Sequence, residues 1–357
     1  MKIVLITPIP SPYIVSFCNE VGERLGVSFL TIYSALSTHM KWDNTDISHQ
    51  YIQLNSNKIV VLKNTYLIDS TIWKILKDFD PDAIITGGFQ IPMLSGILFA
   101  NMKRRKFFIM SDSWALKEKK LSVLHRLVRK LVYRRANGFF PVSFKGKLNF
   151  QSYGVEPSKI HIVPYVISTE KYTSFRQIPF EQRPFDIMFS GQFIDRKLPF
   201  FFVEVASKLK KYFPALKILV IGSGPLENEF LEKLKSEHLD FYFPGFIQPT
   251  AIASYYAQAK ILLFTTSEDS WGVVANEAIA TATPVLTTPF AGAADEIVVD
   301  GENGYVLPID SDIWVEKISG LLNSPLLYKK FQDGCILKNE NYTPAIAADN
   351  FLKGIFS

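Results

Sequence analysis

Short apolar runs alternate with stretches of helical periodicity along most of the chain. Lys2–Thr7 and Val27–Tyr33 read as strands with a helix over Tyr13–Leu25 between them, and Lys58–Leu62 reads as a further strand. Ser70–Phe79 is predicted helical, and Ala83–Thr86 and Phe107–Met110 are predicted strands. Short runs that are apolar throughout suit strands buried on both faces, and their separation by helices predicts βαβ units around a parallel sheet. The rhythm pauses at Thr173–Pro184, which holds two Pro and no periodicity. It then restarts. Asp186–Ser190, Ala215–Ile221, Phe241–Phe243, Ile261–Thr265 and Val285–Thr287 read as strands. Leu198–Tyr212, Pro225–Lys235, Thr250–Gln258, Gly272–Ala282 and Asp312–Leu322 read as helices, and Thr343–Ile355 as a closing helix. The pattern predicts an α/β chain with a domain over 1–172, a linker over 173–184, a second domain over 185–340 and a terminal helix within 341–357.

The uncharged run 83–101 is nominally long enough to cross a bilayer. Gly87-Gly88, Gln90 and Pro92 interrupt it, so it reads as a buried strand, a glycine turn and a helix packed on the sheet. A length of 357 residues suits two domains, and a 48% hydrophobic, 20% charged composition excludes a largely disordered chain. The two Cys, Cys18 and Cys335, exclude a disulfide scaffold and a Cys-based zinc site. His39, His49, His125, His161 and His238 show no metal-ligand spacing, and no metal site is expected. The opening residues lack the pattern of a signal peptide, so a cytoplasmic setting is expected.

Charge changes this picture. The net +5 divides into +10 for residues 1–170 and −5 for the rest, and segment 103–147 alone carries 14 basic and two acidic residues. Within it, residues 117–135 read as a basic amphipathic helix. Leu121, Leu124, Val128 and Leu131 form the apolar face, and Arg126, Arg129, Lys130 and Arg134 the charged one. Such a block can be a solvated face. Its concentration favours attachment to an anionic membrane surface, placing the protein at the inner face of the membrane. Nucleic acid is not expected, because no recognition motif accompanies the charge.

The densest chemistry lies at 267–278. A strand ends near Thr265, a polar loop follows, and a helix starts near Gly272. A helix start offers N–H groups and partial positive charge to an anion, and Gly272 lets a ligand approach the backbone. Asp269, just before the helix, can cap it or bind a sugar hydroxyl. Glu277, about one and a half turns in, can accept hydrogen bonds from a diol such as ribose, or face solvent. Gly191 opens a turn ending in Arg196 and Lys197, cations suited to a diphosphate beyond a strand end. Gly222 follows the next strand, and Gly245 and Phe246 the one after. Each alone is compatible with a plain turn, but four such strand ends in one domain point together to a ligand.

These residues resemble the group 1 (family 4) retaining glycosyltransferases of the GT-B fold. The resemblance runs from Asp269 through Glu277, with Gly272 in place, and on through Pro284-Val285, Gly292, Glu296, Gly301, Asn303 and Gly304. Gly191–Lys197 is similar to the family's glycine-to-lysine phosphate motif, and Val163–Val166 to the segment closing its first domain. The departures are Asp269 where Glu is usual, Gln192 for Arg, Ala282 for Gly, Tyr165-Val166 for Asn-Gly, and a Pro8–Tyr13 loop for Gly-Gly.

The resemblance implies two Rossmann-like parallel-sheet domains facing each other across a cleft, with the terminal helix crossing back to the first. It implies a nucleotide diphosphate sugar as co-substrate, no metal cofactor, and sugar transfer with retention to a saccharide or lipid-linked acceptor, as in cell-surface polysaccharide or glycolipid synthesis. Asp269, Arg196 and Lys197 would then be catalytic. Gly191, Gly222, Gly245, Phe246, Trp271, Gly272, Val273, Val274 and Glu277 would bind donor. Ser11, Tyr13, Gly88 and Asp112 are the acceptor-side candidates. An epimerase or hydrolase of the same fold, and a two-lobed binding protein without catalysis, are the rival readings.

Overall fold

The computed structural model describes residues 1–34, 42, 46–55, 57–61, 64–118 and 121–357, the side chains of 57–61, 64–68 and 117 excepted. The chain forms two compact units. The first holds most of 1–166 together with Pro344–Ser357, and the second holds Ile167–Thr343.

The first unit is built on a six-stranded sheet in which every neighbouring pair is parallel. Its spatial order is Gln50–Gln53, Ser28–Tyr33, Lys2–Thr7, Ala83–Thr86, Lys106–Ser111 and Gly138–Pro141. Strand Lys2–Thr7 shows why the apolar runs are continuous. Ile3 and Leu5 pack on one face of the sheet, Val4 and Ile6 on the other, and all four are fully buried. The uncharged run resolves into strand Ala83–Thr86, a turn, and helix Ile91–Lys103 against the sheet. Among the described residues no helix is long and apolar enough to cross a membrane. The terminal helix Pro344–Phe356 belongs to this unit, where the Phe351 ring meets Phe17 at 5.2 Å and Phe140 at 4.9 Å.

Two expectations change here. The strand expected at Lys58–Leu62 runs over Asn57–Val61 and pairs antiparallel with Asn64–Ile68, a hairpin outside the parallel sheet; residue 62 lies outside the described residues. The single helix expected over 117–135 is two, Ala115–Glu118 and Val123–Tyr133. Ser122 accounts for the restart, because its hydroxyl accepts the His125 N–H and so caps the second helix. Residues 119 and 120 lie outside the described residues.

The second unit repeats the architecture without repeating the sequence. Its parallel sheet runs Asp240–Gly245, Lys217–Ser223, Phe185–Gln192, Ala259–Phe264, Val285–Thr287 and Gly304–Val306. The stretch 173–184 packs into this unit. Arg183, 1% exposed, donates to the carbonyls of Ile178, Ala259, Thr281 and Ala282 and to the Thr283 hydroxyl.

In sequence order, the strands of each sheet are arranged 3-2-1-4-5-6 once the hairpin is set aside. That order reverses between the first and fourth strands, and open α/β sheets bind ligands beyond the carboxyl ends at such a reversal. In the second unit those ends are Gln192 and Phe264.

Candidate functional site

The loops leaving Gln192 and Phe264 carry Arg196, Lys197 and Asp269, and the fold brings these three together. Lys197 Nζ is ion-paired with Asp269 Oδ2, and Arg196 Nη1 lies 3.5 Å from the same oxygen. The Lys197 and Asp269 side chains are 10% and 14% exposed, whereas Arg196 is 44% exposed. Hydrogen bonds to the backbone of the first loop stitch the two loops together. The Thr266 hydroxyl and the Ser267 N–H donate to the Arg196 carbonyl at 2.9 and 2.8 Å, and the Thr265 hydroxyl donates to the Lys197 carbonyl at 2.8 Å. Burial by itself would raise the Asp269 pKa. Lys197, the Trp271 N–H and Arg196 together outweigh it and hold the carboxyl below its ordinary range. Lys197 Nζ also sits 4.8 Å from the centroid of the Phe264 ring.

Asp269 is fixed from a second side. Its N–H donates to the Phe290 carbonyl at 3.0 Å, and its own carbonyl accepts the Gly292 N–H at 3.0 Å. Helix Val273–Ala280 follows at once, with Gly272 as its cap at φ +102°. A Cβ at Gly272 would come 2.2 Å from Phe264 Cε1, so this glycine is demanded by packing as well as by backbone conformation. The first-turn N–H groups of Val273 and Val274 have no acceptor within their own helix. The Trp271 indole is 1% exposed and donates to Asn276 at 2.8 Å, while its backbone N–H donates to Asp269 Oδ1 and its carbonyl accepts the Ala293 N–H at 2.7 Å, so it braces the loop from within.

Glu277 lies further along that helix. Its Oε2 is 2.7 Å from the Tyr256 hydroxyl, which is 2.8 Å from Ser190 Oγ at the end of the first strand. Burial pushes the Glu277 pKa up to about 7, with the Tyr256 hydrogen bond opposing it. Gly191 and Gly222 are register partners on adjacent strands, and a Cβ at Gly222 would come 1.8 Å from the Gly191 carbonyl oxygen. Gly191 and Gly245 themselves face open space, and Phe246 beside Gly245 is partly buried. Sequence reasoning missed Tyr256, Ser190 and Phe264. Tyr256 ends a short helix and Phe264 ends a strand, and no local pattern separates them from ordinary core residues.

In the first unit, Ser11 and Gly88 occupy the equivalent reversal, after Lys2–Thr7 and Ala83–Thr86. Ser11 is 1% exposed, and Gly88, at φ +133°, faces open space. Tyr13 and Asp112 converge elsewhere, on Tyr165. The Tyr13 and Tyr165 rings are 4.4 Å apart. Burial first, then the charge of Asp112 and the neighbouring Tyr13, push the Tyr165 pKa well up. Tyr165 stands at a departure from the family pattern and was not among the sequence candidates. Among the described residues no group of three His, Cys, Asp or Glu side chains could hold a metal ion.

Residues 170–334 match the family model described as glycosyl transferases group 1. Two curated relatives are similar over part of the chain. The putative glycosyltransferase EpsD of Bacillus subtilis (strain 168) is 31% identical over 138 residues, covering 37% of this chain and 35% of that protein. The D-inositol 3-phosphate glycosyltransferase of Paenarthrobacter aurescens (strain TC1) is 27% identical over 168 residues, covering 43% and 41%. The matched stretch thus spans about a third to two-fifths of these relatives' own length. Over the whole chain, the crystal structure of Anabaena HepE in complex with UDP and glucose superposes with a TM-score of 0.77 at 15% identity, covering 100% of both chains. The fold is therefore GT-B.

Proposed function

From the premise that residues 170–334 belong to the group 1 glycosyl transferases, we propose that the protein moves a sugar from a nucleotide diphosphate donor to an acceptor hydroxyl with retention of configuration. The observation that carries this reading is the Lys197–Asp269 pair with Arg196, held beside a helix start at the reversal of the second sheet. Breaking the C1–O bond of the donor moves negative charge onto the diphosphate. Arg196, Lys197 and the Val273–Val274 end of the helix supply preorganised positive charge there. An ammonium has three donor hydrogens, so Lys197 can keep Asp269 and still reach a phosphate oxygen. Asp269, ionised and fixed on both sides, orients sugar hydroxyls. Glu277 accepts from the ribose diol. The acceptor oxygen bonds to C1 on the face the diphosphate leaves, and its proton passes to a leaving phosphate oxygen.

UDP is the first donor base to test, because HepE is seen with UDP and glucose. The acceptor is a saccharide or a lipid-linked hydroxyl, reached near Ser11, Tyr13, Gly88 and Asp112. EpsD and a relative named as an amylovoran biosynthesis glycosyltransferase fit work in polysaccharide synthesis. The basic segment 103–147 holds the protein at the inner membrane face. The test is nucleoside diphosphate release from a panel of nucleotide sugars, with and without saccharide and lipid-linked acceptors. Acceptor-dependent release that falls at least a hundredfold in Asp269→Asn and Lys197→Ala is expected. Release that ignores acceptor and persists in both variants would overturn the reading.

A further inference from the structure

Helix Val123–Tyr133 presents the wrong face to water. Val123, Leu124, Leu127 and Leu131 are 67%, 69%, 54% and 62% exposed. At about 100° per residue these four fill one sector of roughly 100°, Arg126 and Lys130 border it on one side, and Arg134 caps its C-terminal end. The inward side is held by Tyr133, which is buried, and by Arg129, whose side chain is 15% exposed. Arg129 is ion-paired with Glu118 and lies 4.9 Å from the centroid of the Phe89 ring. Glu118 also accepts from the Ser113 hydroxyl at 2.8 Å, Asn149 Nδ2 at 3.3 Å and the Tyr153 hydroxyl at 2.6 Å. Rolling the helix to bury its leucines would strip that buried carboxylate of its cation, which is costly. The apolar stripe is therefore locked outward. The sequence pattern gave an apolar and a charged face without saying which of them meets the protein.

We propose that this stripe inserts into the surface of an anionic lipid bilayer, with Arg126, Lys130 and Arg134 at the headgroup level beside it. Charge complementarity identifies the occupant, because the stripe sits in a segment of net charge +12. A leucine stripe alone would suit a second protein equally well, whereas a leucine stripe bordered by cations in so basic a segment suits anionic lipid. The inference rests on the membrane reading above and specifies the contact. Docking is by insertion, with the charges adding attraction to anionic lipid, and it is independent of the donor chemistry.

The experiment is sedimentation with vesicles of phosphatidylcholine alone or mixed with phosphatidylglycerol, at low and high salt. It compares wild type, Leu124→Gln/Leu131→Gln and Arg126→Gln/Lys130→Gln, with sedimentation velocity in lipid-free buffer alongside. Unchanged circular dichroism and thermal unfolding establish that each variant is folded. Wild type is expected to bind the anionic vesicles, to keep part of that binding at high salt, and to lose at least tenfold in partitioning through the leucine substitutions. If the leucine variant binds as wild type does while the charge variant fails, insertion is wrong and electrostatic attachment stands. If wild type ignores anionic vesicles, both fail. A wild-type dimer in lipid-free buffer that the leucine variant dissolves, with no lipid binding, would make the stripe an interface between two copies and overturn the proposal.

Discussion

Gly272 separates two explanations of the same residue. If it serves only to let a ligand approach, adding a methyl group will weaken donor binding and leave folding intact. The structure predicts a larger effect. The added Cβ would stand 2.2 Å from Phe264 Cε1 and 2.5 Å from Cζ, against a carbon–carbon contact of about 3.5–4.0 Å. Phe264 has little room to yield, being 2% exposed with Lys197 Nζ close to its ring. Overpacking of this kind costs about 1–3 kcal/mol, and a left-handed backbone costs an L residue about 1–2 kcal/mol more. Gly272→Ala should therefore destabilise the second unit by about 2–5 kcal/mol. Urea unfolding followed by Trp fluorescence reads this. A cycle with Phe264→Leu, which removes Cε1 and Cζ, isolates the overlap: in that background the cost of Gly272→Ala should shrink to the backbone part, a coupling of about 1–3 kcal/mol. Equal costs in both backgrounds, or a neutral Gly272→Ala, would refute the packing argument.

Other perturbations test other parts. Arg183→Ala should destabilise the second unit by about 3 kcal/mol or more, because it leaves a cavity and strips buried carbonyls of their donor; urea unfolding checks it. Glu277 ionises with a pKa near 7 when folded and near 4.5 otherwise, so the folded state holds its proton longer, and stability is lost as pH rises from about 4.5 to 7. Glu277→Gln should remove that slope and gain stability at pH 8, on the order of 3 kcal/mol at most, measured by denaturation at pH 5 and 8. A ribose diol donates to the ionised form, so the affinity of wild type for a donor nucleotide should rise through pH 7 more steeply than that of Glu277→Gln, by isothermal titration calorimetry.

Most of the strands and helices were legible because their periodicity is local: strand Lys2–Thr7 and the restart after Pro184 are visible in a few residues each, whereas the short strands Gln50–Gln53, Gly138–Pro141 and Gly304–Val306 carry too few residues to show a pattern. The loop Asp269–Gly272 was legible for the same reason, since acid, glycine and helix start are contiguous. What sequence could not show depends on pairing across long separations. The separation of 72 positions between Lys197 and Asp269 is bridged by a sheet order that periodicity does not encode. Phe264 beneath Gly272 and the Ser190–Tyr256–Glu277 chain are products of that order. The orientation of the helix at 123–133 was hidden for a different reason. Amphipathicity identifies two faces without saying which is inward, and here a buried Glu118 claims Arg129 and so decides it.

The central claim is that Lys197, at the reversal of the second sheet, meets the donor's diphosphate. Isothermal titration of UDP into wild type and Lys197→Ala, at one pH and salt concentration, tests it most directly. Losing a charge-assisted hydrogen bond worth about 1.5–3 kcal/mol predicts an affinity lower by about 10- to 150-fold, with an unchanged circular dichroism spectrum of the free variant at the titration temperature as the fold control. Equal affinity for UDP in the two proteins would contradict the account.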